Sequence, residues 1–134
     1  MKQLYDAKSL NGRNRIQAWA DKAAKSSKDR AALNHRFLML SQMDYDLAVG
    51  TKVLNGPLRG SHGIYKVKVF GDHAMRPMLC RGPVDAVREY TILEGAVEHN
   101  YGKLDPPDAQ ARAMEVRDEV ALDPKNRRMN HEVF

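Results

Sequence analysis

The sequence predicts an α+β fold: an N-terminal helical hairpin packed on a small antiparallel sheet of three to four strands, closed by a C-terminal helix. Three observations carry this expectation. Apolar residues recur at helical spacing from Asn14 to Met43, the period drops to two from Ile64 to Phe70, and a proline-marked amphipathic run follows Asp105. Helices first, strands next and a closing helix is the α+β order.

Taken in order, Gln3–Asp6 reads as a short edge strand. In "NRIQAWADKAAK", Ile16, Trp19, Ala20 and Ala23 share one helix face, and Trp19 reads as core. Ser27 is a suitable N-cap for a second helix, on which Leu33, Phe37, Leu40 and Met43 form an i, i+4, i+7 stripe. Residues 44–63 are rich in turn formers and read as a loop. "GIYKVKVF", the turn "GDH" and "AMRPMLC" make a β-hairpin, and "REYTILEGAV" a third long strand. In the closing helix Asp105 is the expected N-cap, the prolines occupy the first turn, and Ala109, Ala113, Val116 and Val120 face inward. Pro124 ends it. The 134 residues fit one domain over 1–124, with a basic tail, 125–134, expected to fray.

Charge is unevenly spread. Residues 1–36 carry nine Lys/Arg against three Asp/Glu, whereas residues 85–123 carry four against ten. A basic front joined to an acidic later segment suggests one polyanion-facing side, or simply solvated helix surface. No window is apolar enough to span a bilayer, and the N-terminus has no signal-like apolar stretch, so a cytoplasmic protein with no membrane partner is expected. The single cysteine, Cys80, excludes an internal disulfide and reads as a small buried hydrophobe. The five histidines (35, 62, 73, 99 and 131) lack metal-ligand spacing, so neither a metal nor another cofactor is expected. His73, in the hairpin turn, reads as structural. The glycines of residues 50–63 lack the Gly-Lys-Ser/Thr ending of a phosphate-binding P-loop.

A three-residue turn at Gly71–His73 pairs Phe70 with Ala74, Val69 with Met75 and Lys68 with Arg76. Tyr65, Val67, Val69, Met75 and Leu79 then share the core face, leaving Lys66, Lys68 and Arg76 together on the other. Like charges across a sheet cost on the order of a few tenths to one kcal/mol. Either they splay into water, or an anion such as a phosphate normally sits among them. Arg81, closing the second strand, would extend the basic face.

"GIYKVKVFGDHAMRPML" resembles the signature hairpin of the RelE/ParE toxin superfamily, in particular its RelE- and HigB-like, phage-derived members. "LNGPLRG" is similar to the family's Pro-Leu loop, and "EGAVEHNYGKLDPPDAQARAMEV" to its last strand and helix; the likeness covers about residues 28–122. It implies a toxin-type, ribosome-dependent mRNA endoribonuclease needing no metal, in which the ribose 2′-OH attacks the adjacent phosphate. Lys66, Lys68 and Arg76 would stabilise the transition state, His99 or Tyr101 would assist proton transfer, and Arg81 and Lys103 would bind phosphate. Glu98 and His99 stand where many members carry a lysine pair, with Lys103 as a displaced cation. The implied partners are mRNA on the ribosome and a small antitoxin. The alternatives are a non-catalytic interaction module of a mobile element or phage that binds a host protein, and a gyrase-directed member of the superfamily.

Overall fold

The computed structural model describes residues 1–134, apart from the side chain of Tyr101. In chain order the elements are β1 (Gln3–Ala7), α1 (Arg15–Ala23), α2 (Ser27–Ser41), α3 (Tyr45–Gly50), β2 (Leu54–Asn55) and β3 (Ile64–Val67). Then come β4 (Val69–Phe70), β5 (Ala74–Met75), β6 (Met78–Arg81), β7 (Glu89–Glu94), β8 (Val97–His99) and β9 (Lys103–Asp105). The chain closes with α4 (Ala109–Leu122), α5 (Pro124–Arg127) and β10 (Arg128–Asn130). No helix among the described residues is long and apolar enough to cross a membrane.

The α+β class stands, but the expected three- to four-stranded antiparallel sheet under a helical hairpin does not. There are two sheets: a six-stranded mixed one in the order β10-β1-β7-β6-β3-β2, and a four-stranded antiparallel one in the order β4-β5-β8-β9. The cause lies in the hairpin. Its register is the one the alternation requires, with Phe70 across from Ala74 and Val69 from Met75. Both arms break midway, at Lys68 and at Arg76-Pro77, because Pro77 has no N–H to donate to a ladder. A register shift between Met78 and Leu79 follows. The base of the hairpin therefore joins the large sheet and its tip the small one. The third strand divides in the same way at Gly95 and Ala96, into β7 and β8.

Both faces of the large sheet are covered. Tyr65, Val67, Leu79, Tyr90 and Ile92 pack under α1–α3, against Ile16, Leu33, Phe37 and Leu40. Ile64, Met78, Cys80 and Leu93 pack under α4, against Ala109, Ala113, Val116 and Val120. Each large apolar side chain so buried contributes about 1.5–3 kcal/mol. Strand β7 is buried throughout, which is why its sequence shows no clean alternation.

Strand β1 is central instead of an edge, pairing parallel with β7 and antiparallel with β10. The segment 125–134 carries the end of α5 and all of β10, and its His131 Nδ1 bonds the fully buried Asp6 carboxylate at 2.8 Å. Asn14 donates to the same carboxylate at 2.8 Å. Three boundaries differ. Ser26, not Ser27, caps α2; Asp108 takes the cap position of α4 in place of Asp105; and the presumed loop 44–63 contains α3 and β2.

Candidate functional site

The proposed cluster of Lys66, Lys68 and Arg76 does not form as an exposed cation trio. Lys66 and Lys68 are half-buried, but the Arg76 side chain is only 3% exposed. Its main chain pairs with Ala96, at 2.7 Å from N–H and 3.2 Å to C=O. Its guanidinium donates to Glu98 Oε2 at 3.0 Å and to the Met75 carbonyl at 2.9 Å, and sits 4.9 Å from the Phe70 ring centroid. Arg76 Nε is buried without a partner. The hairpin pattern took no account of β8, which lies alongside β5, turns Arg76 into an interior residue and supplies Glu98 as counter-ion.

The other expected site residues also separate. Arg81 stacks on Tyr45 at 3.9 Å and donates through Nε to the Ala86 carbonyl at 3.1 Å, on the sheet face opposite Lys66. The neighbouring Tyr65 hydroxyl, buried and bonded to Tyr45 at 2.9 Å, has its pKa pushed up to about 12. Burial likewise pushes the Cys80 thiol up to about 12, leaving it protonated and inert at neutral pH. His99 and Lys103 are exposed and face each other across β8 and β9. The side chain of Tyr101 lies outside the described residues.

A different set converges around His99. Met75 pairs with Val97, and His73 and His99 each lie two residues beyond that pair, at the same end of the small sheet. Both histidines line a cavity of about 540 Å3, together with Trp19, Lys22 and Lys25 of the α1 segment. The pairing of His99 with Lys103 puts a further cation beside His99.

His73 is held from behind. Asp29, at the start of α2 and fully buried, accepts the main-chain N–H groups of Asp72 at 2.7 Å and His73 at 3.2 Å. Its second oxygen lies 2.7 Å from His73 Nδ1. Burial alone would raise the Asp29 pKa, but the bonds from the His73 ring and the turn's N–H groups outweigh it, and the carboxyl is held below its ordinary value. An ionised carboxylate can only accept, so Nδ1 of His73 carries the proton and Nε2 is left available. The His99 ring is held more loosely, with Nε2 at 3.7 Å from Asp105 Oδ2.

Because its folded-state pKa is depressed, Asp29 adds stability that is full above about 3.9, the ordinary Asp value, and lost as pH falls through the lowered one. Urea midpoints should therefore fall on acidification below about pH 4, and Asp29→Asn should lack that component. Equal acid sensitivity in both proteins would show that Asp29 titrates normally.

Sequence reasoning gave His73 a structural place in the turn, in keeping with its bond to Asp29, and did not bring Lys22 and Lys25 beside His99. Neither a protein-family model, nor a curated protein, nor a solved structure matches this chain.

Proposed function

We propose that the protein is a metal-free endoribonuclease of the RelE/HigB-like kind, acting on mRNA at the ribosome, with His73 and His99 as its proton-transfer pair. The single observation behind this reading is that pair, both histidines lining one cavity with Lys22 and Lys25. RNA transesterification needs a base, an acid and positive charge around the phosphorus. His73 Nε2 takes the proton of the 2′-OH as its oxygen bonds to phosphorus. His99 gives a proton to O5′ as the P–O5′ bond breaks, leaving a 2′,3′-cyclic phosphate and a 5′-OH. Lys22 and Lys25 stabilise the phosphorane. The resemblance of the hairpin and its surroundings to the toxin superfamily supports the substrate class, and a small antitoxin covering the basic side is the partner it implies.

The Arg76–Glu98 pair favours a second reading, a non-catalytic interaction module on the same scaffold, since it neutralises the residue that the family likeness would make catalytic. Incubation of purified protein with end-labelled RNA in EDTA, alone and with translating ribosomes, separates the two. Cleavage to 5′-OH ends by the wild type and not by His73→Ala or His99→Ala is the expected result. Cleavage by all three proteins would remove the histidines from the chemistry. No cleavage under either condition would leave the interaction module.

A further inference from the structure

The cavity beside the two histidines does not stop at Trp19. Trp19, Lys22 and Pro106 also line a second cavity of about 510 Å3, which runs on to Arg13, Arg15 and Arg112. The two are halves of one groove along α1. Arg15, Trp19 and Lys22 follow each other at i, i+4 and i+7, so this groove-facing stripe lies beside the buried stripe of Ile16 and Ala20. The indole packs closely on Gly95, where an added Cβ would come within 2.1 Å of the ring. Glycine at the β7–β8 break is what lets the ring settle there, and its remaining surface borders both cavities.

Charge along the groove favours an anion. Arg13, Lys22 and Lys25 have no carboxylate within ion-pair distance among the described residues; the adjacent Asp21 is taken by Arg30 at 2.9 Å. Arg15 neutralises the buried Glu94, to which its Nε donates at 2.9 Å. Arg112 reaches Asp108 at 3.2 Å, and Asp105 lies beside His99. Glu115 is the remaining carboxylate on the wall.

We infer that this half of the groove is a subsite for single-stranded RNA, in which the base next to the scissile phosphate stacks on Trp19 and its phosphates follow Lys22 and Arg13. The inference rests on the proposed ribonuclease activity and extends it to how the strand is held. A base can reach the indole only when it is unstacked from its neighbours, so duplex RNA is disfavoured. Sequence preference is weak, because every base offers a π-face.

Trp19 is the only tryptophan, so its fluorescence reports on the subsite without a label. The probe is a short oligouridylate added to the His73→Ala/His99→Ala chain, so that no cleavage intervenes. Quenching is expected, with affinity falling steeply as salt rises. Trp19→Leu should weaken binding, read by anisotropy of labelled RNA, roughly 5- to 100-fold. Arg13→Glu, an exposed change that leaves the fold intact, should weaken it several-fold while preserving the unfolding midpoint. Absent quenching while the wild type still cleaves RNA would overturn the subsite alone. Quenching by a protein whose wild type cleaves nothing would overturn the ribonuclease and keep the subsite. Equal quenching by a duplex or by polyglutamate would overturn the assignment to single-stranded RNA.

Discussion

His99→Ala is expected to slow RNA cleavage by about 10²- to 10⁴-fold, the usual contribution of one positioned acid or base. His73→Ala should do the same. The two losses should not multiply in the double variant, because a pair acting on one transition state fails as a unit. His99 is the cleaner test: its side chain is 60% exposed, so its removal leaves packing untouched. His73 bonds Asp29 as well, so its effect must be read with an unfolding midpoint. A base and an acid in opposite protonation states give a bell-shaped pH–rate profile, and each single variant should lose one limb of it. A profile that keeps both limbs in His99→Ala would assign the acid to another group.

Glu98→Ala should destabilise the fold by about 2–3 kcal/mol, toward the lower end for a broken buried pair because Glu98 remains a quarter exposed. The carboxylate leaves, but the Arg76 guanidinium stays buried with one carbonyl, one aromatic face and an Nε that already lacks an acceptor. Arg76→Met combined with Glu98→Leu should recover most of the loss, since an apolar pair of similar volume removes the desolvation cost of both charges. Urea unfolding with an unchanged slope is the measurement. A wild-type midpoint for Glu98→Ala would mean that Arg76 finds water or another acceptor. The same pair bears on any activity test. Loss of function in Arg76→Ala would report unfolding before it reported catalysis, so Arg76 is a poor probe of the chemistry.

What could be read from the sequence, and what could not, divides along contact range. The stripes of Leu33, Phe37 and Leu40 and of Ala109, Ala113, Val116 and Val120 are buried as their spacing requires, because a helix face is set within a few residues. The turn register of Phe70 and Ala74 was legible for the same reason. The central position of β1 was not: its partners are β7 and β10, more than eighty residues away, and five residues hold no record of which strands will flank them. Arg76 shows this within the site. Its exposure depends on β8, which the sequence reading had merged with β7 into one long strand. His99 could be named from the sequence, whereas its neighbours Lys22 and Lys25 come from α1 and the segment just after it, where only the apolar stripe had been read.

The antiparallel pairing of β1 with β10 sets Tyr5 beside Asn130 and brings the His131 N–H to the Leu4 carbonyl, while the Phe134 ring packs on Phe37. Strands β1 and β10 therefore lie side by side at one edge of the large sheet, although they come from opposite ends of these 134 residues. A short linker joining them, with a new opening at the exposed Asn11–Gly12 turn, would keep every ladder in both sheets. Synthesis order is thus separable from architecture in this protein, and a circular permutant could present the groove along α1 beside a free amino terminus, where a reporter can be attached.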